Sequence, residues 1–95
     1  MSRGIGSARL GAAQNISTST TSAASAAFGE QTYKIRICAD VDTRYRVGDG
    51  TPTAVATDTF LPAKWVEHVT VTPGQKIAAI LASGTGNLSV TEVVG

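Results

Sequence analysis

Residues 32–47 decide the fold, and their sequence is TYKIRICADVDTRYRV. Apolar and basic residues alternate on both sides of the segment Asp40-Val41-Asp42. Such alternation, with a period of two, is typical of strands that bury one face. Two strands joined by three loop residues predict a β-hairpin, with Asp42 in the left-handed conformation that such loops often need.

The register of this predicted hairpin follows from the side-chain period. A shift of one residue would send every side chain of a strand to the opposite face, so only an odd-length loop keeps the apolar side chains together. The three-residue loop places Ile37 opposite Tyr45 and Ile35 opposite Val47. The hairpin would therefore present one apolar face to the core.

The other face of the predicted hairpin is basic. Like charges that lie directly opposite each other destabilise a sheet, so this face either spreads its side chains into water or contacts an acidic partner. We expect a docking role, with a solvated face as the alternative, and we do not expect nucleic acid because no exposed aromatic residues are interleaved. The four basic residues are Lys34, Arg36, Arg44 and Arg46.

Length and composition set the class of protein. The chain has 95 residues, a formal net charge of +1, 16% charged residues and 5% aromatic residues. These values predict a single domain without a general attraction to nucleic acid or membranes. Cys38 is the only cysteine, so no intrachain disulfide is possible. Since no apolar run approaches the length of a membrane span and no secretory signal is visible, we expect a soluble protein made in the cytoplasm.

The first 29 residues differ from the rest in composition. They are rich in Gly, Ala, Ser and Thr and contain no acidic residue. This composition predicts a flexible arm over residues 1–29 that attaches to a partner, with Arg3 and Arg9 as its charged contacts. A transit peptide is the alternative, although the apolar positions are too sparse for a convincing amphipathic helix.

Residues 30–95 are expected to form the folded domain. Strands are predicted around residues 53–57, 65–72, 76–82 and 88–94, with the strand at 76–82 buried on both faces. Pro73-Gly74 is typical of a type II turn, and residues 83–87 are predicted to be a hairpin turn. The chain is therefore predicted to be all-β, a small antiparallel β-sandwich or barrel of six to seven short strands with an extended N-terminal arm. A domain this small, without a disulfide or a metal, is expected to oligomerise or to dock on a larger surface.

The residues that could support chemistry are few. Cys38 and His68 are the only candidates for a nucleophile and base, and no motif surrounds either residue, so a structural role is favoured. The acids Asp40, Asp42 and Asp49 lack the spacing of a calcium loop and are expected to cap turns. Residues 84–86, GTG, lack the lysine of a phosphate loop. We therefore predict no catalytic, cofactor or metal site.

Three segments carry a resemblance to a known family. They are Leu61-Pro62-Ala63, residues 71–78 (VTPGQKIA) and residues 86–92 (GNLSVTE). In their order and spacing they resemble the short virion structural proteins of tailed bacteriophages, of the capsid decoration or cement type. The resemblance covers about residues 32–92 and leaves the first 29 residues outside it.

The resemblance implies a non-enzymatic virion component that is synthesised in the host cytoplasm. Such a protein would stabilise the phage head as a homo-oligomer through contacts with the major capsid protein or another virion protein, without cofactors, nucleic acid or a membrane. A tail, fibre or head-to-tail component is the nearest alternative. A receptor- or carbohydrate-binding module is another, but it would need exposed aromatic side chains, and most aromatic residues fall at positions predicted to face inward.

Overall fold

A computed structural model of the chain describes residues 9–94 and the side-chain surroundings of residues 11–93. These residues form strands and turns, and the described part contains no helix that could cross a membrane. The strands are β1 (Arg9–Thr18), β2 (Ala23–Ala24), β3 (Lys34–Ala39), β4 (Thr43–Gly48), β5 (Thr59–Leu61), β6 (Val66–Thr70), β7 (Lys76–Ile80) and β8 (Gly86–Val94).

The strands form two antiparallel sheets of four strands each. Sheet A has the order β1-β8-β3-β6, and sheet B has the order β2-β7-β4-β5. One apolar core lies between them, with Ile35, Ile37 and Leu88 from sheet A against Leu61 and Ile77 from sheet B. The all-β prediction is confirmed, but the sandwich contains eight described strands rather than six to seven.

The predicted hairpin is wrong, although residues 40–42 do connect the two strands, and Asp42 does not have the predicted left-handed conformation. β3 ends at Ala39 and β4 begins at Thr43, but β3 pairs with β6 and β8, whereas β4 pairs with β5 and β7. The connection crosses from one sheet to the other. Alternating apolar residues satisfy this arrangement equally well, because Ile37 and Tyr45 both enter the core when their strands face each other across it.

The predicted hairpin turn at residues 83–87 is wrong for the same reason. β7 belongs to sheet B and β8 to sheet A, so this connection also crosses the core. β4 and β5 are consecutive strands that share a sheet, and the ten residues between them form a long loop. The predicted strand at residues 53–57 lies within that loop and is not a strand.

The predicted N-terminal arm is wrong for residues 9–29, and residues 1–8 lie outside the described part. β1 pairs with β8 from Arg9↔Val94 to Thr18↔Gly86, and β2 pairs with β7. Ile16 is buried in the core between the sheets. Small residues carry little intrinsic strand preference, so pairing with the neighbouring strand, rather than local sequence, decides this conformation.

Two other predictions are confirmed. The central strand β7 is covered on both sides, and Ala78, whose side chain faces away from the core, has no exposed surface. Gly74 has a φ of 86°, and the Gln75 N–H donates to the Thr72 carbonyl at 3.1 Å, as a type II turn at Pro73-Gly74 requires.

Candidate binding face

The four predicted basic residues of the hairpin do not share one face. Lys34 and Arg36 extend from the outer face of sheet A, and Arg44 and Arg46 extend from the outer face of sheet B. The prediction of a single basic face is therefore wrong. The observed arrangement is also favourable, because it separates like charges that a hairpin would have placed opposite one another.

The two arginines of sheet B are engaged by their own neighbours. The Arg46 guanidinium pairs with Asp58, its Nη2 and Nε lying 2.8 and 3.1 Å from Oδ1. The Arg44 guanidinium lies 4.7 Å from the centre of the Phe60 ring and donates to the Asp58 carbonyl at 3.2 Å. The Val55 N–H, and then Arg46, hold the pKa of the Asp58 carboxyl below its usual value.

The predicted contacts of the N-terminal segment can be placed only in part. Arg9 is the first residue of β1, and the surroundings of its side chain lie outside the described part. Arg3 lies outside the described residues altogether. Their role in attachment therefore stays a prediction.

The loop of residues 49–58 covers the outer face of sheet B. It leaves β4, reaches the opposite edge of the sheet and returns to β5, and the Ala54 N–H donates to Ser22 Oγ at 2.8 Å beside β2. Ala54 is only 1% exposed. The loop explains why Ala78, on the outer side of β7, is buried although the core lies on the other side of its strand.

The outer face of sheet A is open and carries a shallow depression of about 450 Å³. Strand register brings Asn15, Ser89 and Cys38 side by side across β1, β8 and β3. Two cations lie at this depression, Arg36 from β3 and Lys64 from the loop before β6. The complete lining is Asn15, Arg36, Cys38, Ala39, Asp40, Lys64, Asn87 and Ser89.

Asp40 joins two of the chain segments that build the depression. Its Oδ1 accepts the Asn87 N–H at 2.8 Å, and its own N–H donates to the Asn87 carbonyl at 3.1 Å. The Asn87 N–H holds the pKa of the Asp40 carboxyl below its usual value. A Cβ atom at Gly86 would lie 2.4 Å from Val41 Cγ2, so this close approach needs a glycine.

Lys64 occupies a backbone conformation that is unfavourable for a lysine. Its φ is 61°, in the left-handed region that costs a non-glycine residue about 1 to 2 kcal/mol. The Lys64 N–H donates to the Ala39 carbonyl at 2.7 Å, and the adjacent Ala63 N–H donates to Asp42 Oδ1 at 2.8 Å. These bonds fix the loop against the β3 to β4 connection and hold Lys64 at the depression.

Hydrogen bonds within the depression fix the orientation of some of its polar side chains. Asn15 Nδ2 donates to Asn87 Oδ1 at 3.1 Å, which fixes both amides across the β1 and β8 pair. Ser89 lies on the same face and is exposed. Among the described side chains the one ion pair is that of Arg46 with Asp58, so Arg36 and Lys64 have no carboxylate partner there.

The predicted Cys38 and His68 candidates share the open face of sheet A. Cys38 pairs with Val66, and His68 pairs with Arg36, so the two residues are diagonal neighbours on adjacent strands. No hydrogen bond joins their side chains within the described part of the chain. The geometry therefore contains no assembled nucleophile and base at these positions.

Asp40 and Asp42 lie in the turn between β3 and β4, but their carboxylates accept the N–H groups of Asn87 in β8 and of Ala63, so they connect distant segments rather than cap their own turn. Asp49 accepts a hydrogen bond from Gln75 Nε2 at 3.4 Å. Residues 11–93 contain no group of three or more His, Cys, Asp or Glu side chains arranged around a potential metal position.

Sequence reasoning missed most of this site. It selected Arg36 but placed it beside Arg44, and it missed Asn15, Lys64, Asn87 and Ser89. The conformation of Lys64 has no signal in the sequence, because an αL residue is most often glycine or asparagine.

Three of the five aromatic side chains are exposed, contrary to the sequence-based expectation. Tyr33 is 64% exposed, Trp65 is 60% exposed and Phe60 is 43% exposed. Phe28 and Tyr45 are buried in the core. Trp65 directly follows Lys64, so the same loop carries an aromatic ring and a cation.

A comparison with protein-family models, curated proteins and solved structures finds no match to this chain.

Proposed function

We propose that this chain is a non-enzymatic virion structural protein of a tailed bacteriophage, made in the host cytoplasm. In this role it decorates or cements the head by binding the major capsid protein or another virion protein. Decoration of this kind adds interfaces that must break before the shell opens, and many copies acting together multiply a modest individual affinity.

The observation that carries the proposal is the difference between the two outer faces. Sheet B is crossed by the protein's own loop, which provides Asp58 as the partner of Arg46, whereas sheet A offers an open surface with two unpaired cations within the described part. Two of the three segments that carry the resemblance border this surface. Leu61-Pro62-Ala63 leads into Lys64, and residues 86–92 lie within β8.

The sheet edges favour docking through a face rather than by strand addition. β1 has an irregular register between Leu10 and Ala13, and β2 and β5 contain only two and three residues. Edge strand β6 carries Glu67 on its inward side, where its Oε1 accepts the Tyr45 hydroxyl at 3.0 Å. Irregular, short or inwardly charged edge strands resist edge-to-edge pairing.

The direct test is whether the protein is part of purified particles. Particles released from cells that carry the encoding genome would be separated by density and analysed by quantitative peptide mass spectrometry. The proposal expects this chain at a fixed ratio to the major capsid protein. Its absence from particles, with the chain present in the soluble fraction of the same lysate, would contradict the proposal.

Copurification alone would not distinguish head decoration from the alternative of a tail, fibre or head-to-tail component. Tailless heads, isolated from the same preparation, provide the separation. A decoration protein is expected on these heads in many copies, whereas a tail component would be lost with the tails.

A receptor- or carbohydrate-binding module is the second candidate, and the exposure of Tyr33 and Trp65 favours it. Aromatic rings provide flat apolar surfaces on which sugars stack. Trp65 is the only tryptophan, so its fluorescence reports directly on this loop. Saturable changes in the fluorescence on addition of host-surface polysaccharide, lost in Trp65→Ala, would favour this candidate over decoration.

Self-association remains a prediction. A small β-sandwich without disulfides gains stability from additional interfaces. Sedimentation at micromolar concentration is expected to show a species larger than the monomer, and a monomer at every concentration would contradict it.

A further inference from the structure

We infer that the depression on the outer face of sheet A binds a carboxylate group of a partner protein, an Asp or Glu side chain held between Arg36 and Lys64. The inference rests on the proposed function for the identity of the partner, and it adds the chemistry by which that partner is recognised.

Charge is the first observation. The depression is lined by two cations, Arg36 and Lys64, and by one carboxylate, Asp40. The Asp40 carboxylate already accepts the Asn87 N–H at 2.8 Å and lies 3.5 Å from Asn87 Nδ2. No ion pair joins it to either cation within the described residues, so an excess of one positive charge faces an incoming ligand.

The arginines of sheet B differ from Arg36 because each already has a partner within the chain. Arg44 and Arg46 are equally basic, but Phe60 and Asp58 engage them within the same sheet and loop. The chain thus compensates the arginines of one face internally. On the other face, Arg36 and Lys64 are available to a ligand.

The backbone at Lys64 is the second observation. A strained residue persists only where the surrounding structure imposes its conformation, and such residues concentrate at binding sites. Here the Ala39 carbonyl and the Asp42 carboxylate impose it from the neighbouring connection. Glycine would occupy this position without strain, so the side chain of lysine, rather than the backbone, is what the site uses.

The arrangement of donors selects a carboxylate. The Arg36 guanidinium can donate two parallel hydrogen bonds to the two oxygens of one carboxylate, and the Lys64 ammonium adds a third charged donor. The exposed Ser89 hydroxyl lies in the same depression. Asp40 would repel a dianionic phosphate more strongly than a monoanion. Binding of a nucleic acid would need basic residues repeated along the backbone path, and among the described side chains of this face the basic residues continue only to Lys34.

The test uses the purified protein alone and a probe of defined chemistry. A blocked glutamate–glycine repeat peptide is titrated into isotopically labelled protein at physiological salt, and a glutamine–glycine peptide serves as the uncharged control. Nuclear magnetic resonance is expected to show saturable amide shifts at residues 36–40, 63–65 and 86–89 with the glutamate peptide only. At this salt, charges more than about 8 Å apart are largely screened, so distant cations contribute little.

Two substitutions and one control connect the shifts to the depression. Lys64→Gly removes the ammonium group, and glycine adopts the left-handed backbone conformation without strain. Arg36→Gln removes the guanidinium group and its paired N–H donors while keeping a side chain that fits the strand. Each substitution is expected to lower the affinity for the glutamate peptide about threefold to tenfold. Lys34→Gln removes the same charge from the same face outside the depression and is expected to change the affinity by less than about twofold.

Three results would overturn the inference. They are the absence of saturable shifts, equal binding by both variants and the parent protein, and equal shifts of the same amides by a thymidine oligonucleotide. The last result would assign the depression to nucleic acid instead. Because no particle enters this experiment, its failure leaves the virion proposal standing, and absence of the chain from particles leaves the carboxylate site standing.

Discussion

Sheets A and B each contain four antiparallel strands, yet their outer faces differ in what lies on them. Residues 49–58 cross sheet B, bury Ala78 and provide Asp58 as the partner of Arg46. Sheet A has no such cover within the described residues, and its cations line an open depression. Arg46 on sheet B is paired within the chain, whereas Arg36 and Lys64 on sheet A are open to water or to a ligand, and our proposal assigns recognition to that face.

The largest effect is expected at Gly86, which lies where the open face meets the Asp40 loop. A Cβ at this position would lie 2.7 Å from Asp40 Oδ1 and 2.4 Å from Val41 Cγ2. Gly86→Ala should therefore lower the free energy of unfolding by about 1 to 3 kcal/mol, as overpacking does, in urea denaturation. Gly48→Ala on sheet B is the matched control, because its Cβ would make only an ordinary contact with Pro52 at 3.5 Å. Equal stability of the two variants would contradict the close packing at Gly86.

The Ser22 hydroxyl holds the loop of residues 49–58 against sheet B. Ser22→Ala removes the acceptor of the buried Ala54 N–H, and an unpaired buried donor costs about 1 to 3 kcal/mol. Amide hydrogen exchange should accelerate over residues 49–58 and little elsewhere. Ser89→Ala, on the open face, is the control and should leave both exchange and stability nearly unchanged. Faster exchange throughout the chain would mean that the loop is not a separate cover.

The contact between the two sheets can be tested at high pH. Burial, and then the hydrogen bond to Glu67, raises the pKa of Tyr45 to about 12 from an ordinary value of 10.0. A raised pKa means that the unfolded chain loses the proton first, so this stabilisation is complete below pH 10 and disappears as the pH rises toward 12. Tyr45→Phe should lower stability at pH 7 by about 0.5 to 1.5 kcal/mol and should remove most of the decline above pH 10.

The exposed Tyr33 provides the control for that experiment. Tyr33→Phe should retain the alkaline decline of the parent protein. A Tyr45→Phe variant with an unchanged alkaline decline would show that the hydroxyl does not link β4 to β6.

The smallest effects are expected from the two aspartates that anchor the loops, one on each face. The pKa of Asp40 and the pKa of Asp58 are both lowered, so each carboxylate stabilises the fold above its ordinary pKa of 3.8 and loses this effect as the pH falls through the lowered value. Asp40→Asn and Asp58→Asn should each flatten the acid side of the stability curve.

Salt should separate these two variants. Asp58 pairs with the cation Arg46, whereas the Asn87 N–H holds Asp40, so 1 M salt should weaken only the Asp58 contribution. Identical salt dependence of the two variants would contradict the assignment of the ion pair to sheet B alone.

The sequence predicted the local features that depend on local chemistry. Alternation predicted that Ile35 and Ile37 face the core, and the Pro73-Gly74 dipeptide predicted its turn. Alternation cannot identify the neighbouring strand, because it states only which side of a strand is apolar. The three-residue segment at 40–42 fits both a hairpin and a crossing between sheets.

The candidate site was less predictable because it is assembled from distant segments. Asn15 belongs to a strand whose small residues resemble a linker, and its partner Asn87 lies across the sheet at the other end of the sequence. Lys64 reaches the depression only through its unusual backbone. Arg36 was selected for its charge, but Arg46, its partner in the predicted hairpin, belongs to the opposite face.

A cryo-electron microscopy map of intact particles, at a resolution that separates strands, tests the central claim most directly. Our account expects the outer face of sheet A to lie against the capsid, with Arg36 and Lys64 near an acidic side chain and residues 49–58 facing solvent. A chain that contacts the capsid through residues 49–58 and leaves the depression on sheet A in solvent would contradict it.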